Sequence, residues 1–339
     1  MKAAVLTKKG TAEQSIKILE IKKPAPKRGE ILIKVECFGL NYADVMARLG
    51  LYDAAPKMPC VIGYEVVGVI EEVGEDGDVN LLGKRVVAFT RFGGYAEFAV
   101  TSTDSFAEIG DMNASEAAAL AVQYVTAYYM AFEAINLQAG DKVMIHAGAG
   151  GVGTALIQLC KLKGCEVFGN AGSDLKLDYM KSQGADHFIN YRKESYDKVV
   201  KQILGTKKLD VTFNPIAGST FKKDMRLIGA AGKVILFGGS DRSGKKWGTL
   251  STLNFVRKMG LIVPIALLMG SKSVIGVNML NIGDQQPQIL NRCMRAVVQL
   301  LKEGKIKPHV GGEFKYSEIA KAHSLLESRK SIGKIVVYW

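Results

Sequence analysis

One stretch constrains the fold of this chain more than any other: residues 141–164, DKVMIHAGAGGVGTALIQLCKLKG. An apolar strand-like segment, a glycine-rich turn and an apolar-periodic segment follow one another, which is typical of strand, turn and helix. Gly148, Gly150 and Gly153 have the G-x-G-x-x-G spacing, in which glycine permits a tight turn and a close approach of the backbone to a pyrophosphate. The free N–H groups of the helix N-terminus then face the phosphates. A purely structural turn is the alternative interpretation. The predicted dinucleotide-binding residues are Gly148, Ala149, Gly150, Gly151, Val152 and Gly153.

The length and composition are those of a folded globular protein. Of the 339 residues, 48% are hydrophobic and 23% are charged, which excludes a disordered or fibrous chain. The N-terminal MKAAVLTKKG has too short an apolar run to be a signal peptide. The most apolar stretch, residues 261–270, falls short of the about 20 residues that a membrane span needs. We therefore expect two domains and a cytoplasmic location.

The charge pattern favours a solvated surface over a binding surface. A net charge of +12 could attract nucleic acid, an anionic membrane or a phosphorylated ligand. The basic residues are dispersed in pairs such as Lys207-Lys208 and Lys245-Lys246, so association with nucleic acid or a membrane is the less favoured alternative. The five cysteines lack metal-ligand spacing. The four histidines lie in separate predicted elements, and we expect none of them to be a catalyst.

The order of predicted elements indicates two domains. Short β-type segments separated by glycine and proline fill residues 1 to about 110, and helical spacing begins at Asn113. Strands and helices then alternate, as expected of a parallel sheet covered by helices on both faces. The last segments return to strand, helix and strand. This α/β pattern predicts a β-rich domain at 1–122 and 268–339 and a dinucleotide-binding domain at 123–267.

Several short motifs occur in a characteristic order along the whole chain. They are Gly39–Asp44, Arg48–Tyr52, Gly63–Glu65, Gly83–Val86, Gly94–Glu97, the glycine turn, Gly184–Asp186 and Ser331–Lys334. Each is weak alone, but in this order they resemble the medium-chain dehydrogenase/reductase superfamily, and within it the zinc-independent quinone oxidoreductase branch. The resemblance implies a β-rich GroES-like catalytic domain joined to a Rossmann domain with a doubly wound parallel sheet.

The chain departs from the zinc alcohol dehydrogenases of that superfamily at two positions. Those enzymes carry a cysteine where Asn41 stands and a histidine where Tyr64 stands. Neither asparagine nor tyrosine is a usual zinc ligand. The four-cysteine lobe that binds their second zinc is also absent from the sequence. We therefore predict no bound metal.

The end of the second strand in the dinucleotide domain indicates the cofactor. A site selective for NAD commonly has an acid there for the ribose hydroxyls, whereas this chain has Asn170. Ser173 can hydrogen-bond a 2′-phosphate and Lys176 can neutralise it, and the resemblance adds Tyr191. We predict NADPH, with a solvated surface lysine as the alternative for Lys176. The acid at Asp174 is interpreted as complementing the helix dipole.

Further cofactor contacts are expected from the strand ends and from the resemblance. Open parallel sheets bind ligands at the carboxyl ends of their strands. For two of the expected residues, Thr126 and Asn278, ordinary helix capping or sheet hydrogen bonding is an almost equally good explanation. Beyond the glycine turn, the expected cofactor-binding residues are Asn41, Thr126, Ser173, Lys176, Tyr191, Asn214, Phe237, Gly238, Ser240, Asn278 and Lys334.

Three side chains are candidates for the chemical step. Without zinc, the acceptor carbonyl must be polarised by hydrogen bonds as negative charge develops. Asn41, Tyr52 and Tyr64 can donate such bonds, although a packed aromatic is the favoured interpretation of Tyr64. Asn41 is preferred because it occupies the vacated ligand position. The sequence predicts NADPH-dependent, zinc-independent reduction of a quinone or an α,β-unsaturated carbonyl.

The alternative function is a non-catalytic NADPH-binding protein that associates with a membrane surface or RNA, because a fold alone does not establish activity. Residues 254–270 are basic and apolar, as a membrane-binding segment would be. Pro264 interrupts a continuous helix there, which favours a segment packed over the substrate cleft or against a second subunit. Residues 273–279 are predicted to form a strand suited to edge pairing, so we expect a homodimer.

Overall fold

The chain forms two compact units, Met1–Thr126 with Met279–Trp339, and Ala127–Asn278. The computed structural model describes the backbone of residues 1–242 and 248–339 and the side chains of residues 1–241 and 253–339. The predicted basic pair Lys245-Lys246 lies outside the described residues.

Strands and helices are numbered in chain order. The strands are β1 (Lys2–Leu6), β2 (Ile16–Glu20), β3 (Glu30–Leu40), β4 (Cys60–Val61), β5 (Glu65–Val73), β6 (Arg85–Phe89), β7 (Phe98–Ser102), β8 (Phe106–Glu108), β9 (Lys142–Ile145), β10 (Glu166–Ala171), β11 (His187–Asn190), β12 (Leu209–Asn214), β13 (Ile228–Leu236), β14 (Ser273–Gly276), β15 (Val310–Lys315) and β16 (Lys334–Tyr338). The helices are α1 (Ala12–Ser15), α2 (Tyr42–Arg48), α3 (Ala114–Ala118), α4 (Val125–Tyr128), α5 (Gly151–Leu162), α6 (Asp174–Ser182), α7 (Tyr196–Leu204), α8 (Gly218–Leu227), α9 (Gly248–Met259), α10 (Pro264–Gly270), α11 (Met279–Gln285), α12 (Pro287–Lys302) and α13 (Ile319–Glu327).

The second unit is built on a six-stranded sheet in the order β11-β10-β9-β12-β13-β14. Its strand pairs are parallel, and the order of the strands reverses between β9 and β12, which confirms the predicted doubly wound Rossmann arrangement. Parallel strands covered on both faces are rich in buried apolar residues. Met144, Phe168 and Val234 on the strands accordingly pack with Val200 of α7 and Phe221 of α8.

The predicted domain boundary at 267/268 is wrong. Strand β14 pairs with β13, with Ser273 opposite Lys233 and Gly276 opposite Leu236, so this segment belongs to the parallel sheet. The chain returns to the first unit at Met279. The strand predicted at 273–279 also ends earlier, at Gly276. The predicted boundary at 122/123 lies close to the observed change after Thr126.

The first unit is the predicted β-rich, GroES-like unit. A larger sheet has the order β15-β16-β3-β5-β6-β8, with β7 also paired to β3, and a small sheet has the order β2-β1-β4. The C-terminal strand β16 is antiparallel to β3, with Ile335 opposite Leu40, while β5 also pairs with β3 and begins at Glu65. These registers bring the ends of three strands together, and with them Asn41, Glu65 and Lys334.

The helix predictions hold with small differences in their bounds. The side chain of Asn113 caps α3 by accepting a hydrogen bond from the backbone N–H of Glu116 at 3.1 Å. π-helical turns at Leu120–Tyr124 and Tyr129–Ala134 interrupt the helical region that follows. Helix α10 begins at Pro264, which confirms the predicted interruption.

Candidate functional site

The glycine turn connects β9 to α5, and two of its glycines are required sterically. A Cβ atom on Gly153 would lie 2.4 Å from the carbonyl oxygen of Ala147, and one on Gly148 would lie 2.4 Å from the sulfur of Met180. A Cβ on Gly150 would meet only the oxygen of Ala147 at 3.3 Å, so this position is more open. Helix α5 begins at Gly151, so the last residues of the glycine turn form its first turn. The open backbone at the helix N-terminus is the arrangement that binds a pyrophosphate.

The carboxyl end of β10 carries a cluster of polar and cationic side chains. A Cβ atom on Gly172 would lie 2.6 Å from the Tyr191 hydroxyl and 3.2 Å from Nε of Arg192, so both side chains border the strand end. Ser173 is the exposed N-cap of α6, and Lys176 follows in its first turn. Burial lowers the pKa of Lys176, and the positive charge of Arg192 lowers it further. Two neighbouring cations of this kind favour a bound dianion.

The acidic side chain in this region, Asp174, is paired with residues other than Ser173 and Lys176. Asp174 accepts hydrogen bonds from Nζ of Lys193 at 2.7 Å and from Nδ2 of Asn190 at 3.0 Å. These bonds lower the pKa of the Asp174 carboxyl, with Lys193 contributing most. Because the carboxylate is paired with Lys193, it is compatible with an anion beside Ser173 and Lys176.

The other predicted cofactor residues of the second unit follow strand ends. Asn214 is the last residue of β12, while Phe237, Gly238 and Ser240 follow β13. The Asn214 side chain is used within the protein, because its Oδ1 accepts hydrogen bonds from the backbone N–H groups that follow at 2.9 and 2.8 Å. The strand predicted to contain Asn278 ends before it, and Asn278 lies exposed in the following connection.

In the first unit, the preferred catalytic residue Asn41 lies in a buried polar cluster. Its Nδ2 donates to Glu65 at 2.8 Å, and its Oδ1 accepts from Nζ of Lys334 at 3.0 Å. The Lys334 ammonium also pairs with Glu65, and both of these side chains are fully buried. The second oxygen of Glu65 accepts the backbone N–H of Val122 at 2.8 Å. Both oxygens of Glu65 therefore accept hydrogen bonds, and Lys334 donates to two acceptors, which offsets the cost of burying the ion pair.

This cluster fixes the orientation of the Asn41 amide by chemistry alone. An ammonium group only donates hydrogen bonds and a carboxylate only accepts them, so Lys334 must face the amide oxygen and Glu65 the amide nitrogen. The nitrogen carries two hydrogens, and Glu65 accepts one of them. The second hydrogen is the one that an acceptor oxygen can receive. Lys334, predicted to bind the cofactor, is fully buried in this structure and donates to Asn41 and Glu65.

The two candidate tyrosines lie beside each other. Their rings pack edge to face with centroids 6.3 Å apart. Tyr64 is buried, and within the described part of the chain its hydroxyl has no hydrogen-bond partner. Burial raises the pKa of both Tyr64 and Tyr52. Both phenols therefore stay protonated at neutral pH and can donate a hydrogen bond. The Tyr64 ring also packs against Phe92 at 5.1 Å, in keeping with the favoured interpretation of a packed aromatic.

Asp44 is a fully buried acid next to this cluster that the sequence did not single out. One of its oxygens accepts the backbone N–H of Asn41 at 2.7 Å. Burial raises its pKa from 3.8 to about 7, although the N–H of Asn41 and the Tyr95 hydroxyl act in the opposite direction. Asp44 is therefore protonated in a large fraction of molecules at neutral pH.

Asp44→Asn should make the stability of the folded protein depend less on pH. Because the folded-state pKa is the higher one, the folded protein binds the Asp44 proton more tightly than the unfolded chain, and this stabilisation is lost as pH rises through about 7. We expect Tm of Asp44→Asn minus Tm of the wild type to increase between about pH 5 and pH 8. A difference that is constant with pH would contradict the raised pKa.

The remaining predicted residue, Thr126, is buried in α4. In the part of the chain that the structure describes, no group of three or more His, Cys, Asp or Glu side chains is arranged to hold a metal ion. The site residues missed from sequence are Glu65, Asp44 and Arg192. Glu65 and Asp44 stand in the sequence motifs Gly63–Glu65 and Gly39–Asp44, and Arg192 directly follows Tyr191. Sequence could therefore have suggested these residues, but not the side chains with which they interact.

Comparisons with known proteins agree with this architecture. The family model for the alcohol dehydrogenase GroES-like domain matches residues 27–111, and the model for a zinc-binding dehydrogenase matches residues 151–303. The chain is 35% identical to the synaptic vesicle membrane protein VAT-1 homolog of Danio rerio, over 99% of this chain and 69% of that protein. It is 29% identical to the quinone oxidoreductase of Rattus norvegicus, over 93% of this chain and 90% of that protein.

A solved structure supports the same assignment. The quinone oxidoreductase of Escherichia coli, crystallised with NADPH, superposes with a TM-score of 0.88 at 25% identity and covers 100% of both chains. The two matched family models, the two folded units and these relatives agree on one domain arrangement, a GroES-like unit with a Rossmann unit. The chain therefore belongs to the medium-chain dehydrogenase/reductase superfamily, in the branch that contains the quinone oxidoreductases and the VAT-1 homologues.

Proposed function

We propose that the protein is an NADPH-dependent, zinc-independent reductase of quinones or α,β-unsaturated carbonyl compounds. The observation that carries this proposal is the Asn41 amide, which Glu65 and Lys334 hold with an N–H group available for an acceptor oxygen. A preorganised donor of this kind stabilises the negative charge that develops on a carbonyl oxygen during reduction. The phenols of Tyr52 and Tyr64, both kept protonated, are the proposed additional donors.

NADPH is the cofactor, and when bound it supplies the hydride. The glycine turn, residues 148–153, binds the pyrophosphate through backbone N–H groups at the start of α5. Ser173, Lys176, Tyr191 and Arg192 bind the 2′-phosphate. The strand ends at Asn214, Phe237–Ser240 and Asn278, together with Thr126, are proposed to complete the cofactor site. The relative from Escherichia coli binds NADPH with the same fold.

A turnover screen tests the reaction. NADPH oxidation is followed by absorbance with a panel of quinones, enones and aldehydes, with NADH in parallel and with a chelator present throughout. We expect turnover of quinones or enones with NADPH, unchanged by the chelator. Turnover limited to aldehydes would contradict the proposed substrate class, and loss of activity in the chelator would contradict zinc independence.

We also propose that the protein is a homodimer. Strand β14 is the edge of the six-stranded sheet, and the α9–α10 segment that precedes it exposes many apolar side chains. An edge strand beside an apolar surface pairs readily with its own copy about a twofold axis. The exposed apolar residues are Leu253, Val256, Leu261, Ile262, Val263, Ile265, Leu268 and Met269.

Sedimentation equilibrium tests the dimer. The wild type should have twice the mass of one chain, and Leu268→Asp should shift it towards the monomer because a charge cannot be buried in this surface at low cost. Leu175→Asp, in which an equally exposed leucine of the same unit is changed, is the control and should leave the mass unchanged. A monomeric wild type at micromolar concentration would contradict the proposal.

The same apolar surface favours a second candidate function, association with a membrane surface. Among the described residues, Leu253–Gly270 is long and apolar enough to cross a membrane by length and composition alone, and none of it is buried. The segment is broken between α9 and α10, which fits a surface-bound segment better than a span. Flotation with anionic vesicles at physiological salt separates the two: binding by Leu268→Asp as strong as by the wild type would contradict a role for this segment.

A further inference from the structure

The second unit contains a buried polar network that joins the end of β9, the end of β12, α7 and α8. At its centre is Asp224 on α8, whose side chain is fully buried. It accepts hydrogen bonds from Nε2 of His146 at 3.0 Å, from Nδ2 of Asn214 at 2.6 Å and from the Tyr196 hydroxyl at 2.8 Å. Three donors satisfy the carboxylate, so its burial is tolerated.

The contacts of His146 define which of its nitrogens carries the proton. Nε2 faces the Asp224 carboxylate and must donate, so in the neutral ring Nδ1 is the acceptor. Nδ1 accepts from Nδ2 of Asn170 at 2.9 Å, which turns the amide oxygen of Asn170 towards the backbone N–H of Ala147 at 3.1 Å. The pair His146–Asp224 therefore sets the orientation of Asn170.

Asn214 is oriented in the same way on the other side. Its amide nitrogen donates to Asp224, and its oxygen accepts from the backbone N–H groups of Ile216 and Ala217 at 2.9 and 2.8 Å. Ala147 and Ala217 have φ values of +54° and +57°, which alanine rarely adopts. At both alanines the strained backbone is held by an asparagine oxygen: His146 orients the amide of Asn170, and Asp224 together with Thr220 orients that of Asn214.

From this geometry we infer that His146 and Asp224 are positioning residues that shape the two loops of the cofactor site, residues 147–150 and 214–218. The inference rests on the proposed NADPH site. Strained backbone persists where the surrounding structure overdetermines it, and a buried network of directional bonds does this better than apolar packing. The network thus couples the glycine turn to the loop after β12. His146 itself is buried and is not among the residues proposed to contact NADPH or the substrate.

The test compares two buried substitutions that differ in what they orient. His146→Leu removes the donor to Asp224 and the acceptor for Asn170, so the glycine turn loses its fixed asparagine, whereas Asn214 keeps its bond to Asp224. Tyr196→Phe removes one donor to Asp224 and a hydrogen bond to the Thr220 carbonyl in α8 but contacts neither residues 147–150 nor residues 214–218, and it serves as the matched control. We expect His146→Leu to raise the Kd for NADPH about tenfold and Tyr196→Phe to leave it unchanged, with kcat at saturating NADPH little altered in both.

Amide hydrogen exchange of the cofactor-free protein gives a second readout. Exchange at Ala147 should be much faster in His146→Leu than in the wild type and unchanged in Tyr196→Phe, whereas exchange at Ala217 should rise in Asp224→Leu, which removes the acceptor of the Asn214 amide. Equal losses of affinity in His146→Leu and Tyr196→Phe, unchanged exchange at Ala147 in His146→Leu, or unchanged exchange at Ala217 in Asp224→Leu, would overturn the inference. If His146→Leu does not fold, His146→Asn, which keeps an acceptor near the Nδ1 position, should retain slow exchange at Ala147. Failure of the wild type to bind NADPH would contradict the proposed function, while the exchange measurement would still decide the positioning role.

Discussion

Asn41→Ala should lower kcat about 100-fold while leaving the Kd for NADPH within about twofold of the wild type. The amide donor is fixed by Glu65 and Lys334, so it is preorganised for the oxygen of the acceptor and is not reoriented during the reaction. Such a donor acts mainly on the transition state, because the negative charge develops there. Steady-state kinetics with the preferred quinone or enone, together with calorimetric titration of NADPH, measure both quantities.

The control for this prediction is Asn80→Ala, the same change in an exposed turn of the same unit. It should leave kcat and the Kd for NADPH unchanged. A value of kcat in Asn41→Ala close to that of the wild type would remove Asn41 from the mechanism. A large rise in the Kd for NADPH would instead assign Asn41 to cofactor binding, which is its other predicted role.

Local patterns were sufficient to predict the cofactor half of the fold. The glycine turn and the alternating strands and helices depend on residues close together in sequence, and the structure confirms them. The boundary at 267/268 failed because it depends on pairing: nothing local in residues 273–276 shows that β14 adds to β13.

The Asn41 cluster shows the same limit at the level of single side chains. Asn41 was found because it stands in a motif, but its partners were not, since Glu65 and Lys334 are 269 positions apart. Their contact follows from the registers of β3 with β5 and with β16. Lys334 was predicted to bind the cofactor from its motif alone. In the structure its buried ammonium pairs with Glu65 and donates a hydrogen bond to Asn41. Pairing between distant strands decides the role of such a residue.

Replacement of the two cations at the end of β10 should abolish the preference for NADPH. The pKa of Lys176 is lowered by burial and by the nearby positive charge of Arg192, so the two cations disfavour each other until an anion lies between them. A charged hydrogen bond to a 2′-phosphate contributes about 1.5–3 kcal/mol, so Lys176→Ala should raise the Kd for NADPH about 10- to 100-fold. NADH has no 2′-phosphate, and its Kd should change little.

Arg192→Ala should act in the same direction, and the double variant should bind the two cofactors about equally, since the remaining contacts of the glycine turn are common to both. Lys201→Ala, which removes an exposed charge from α7, is the control for a general charge effect and should change neither Kd. Raising the salt concentration should weaken NADPH binding more in the wild type than in Lys176→Ala, because only the wild type retains the full phosphate contact. Equal losses for NADPH and NADH would show that Lys176 supports the fold of the strand end instead of reading the phosphate, and the selectivity would then have to come from Ser173 and Tyr191.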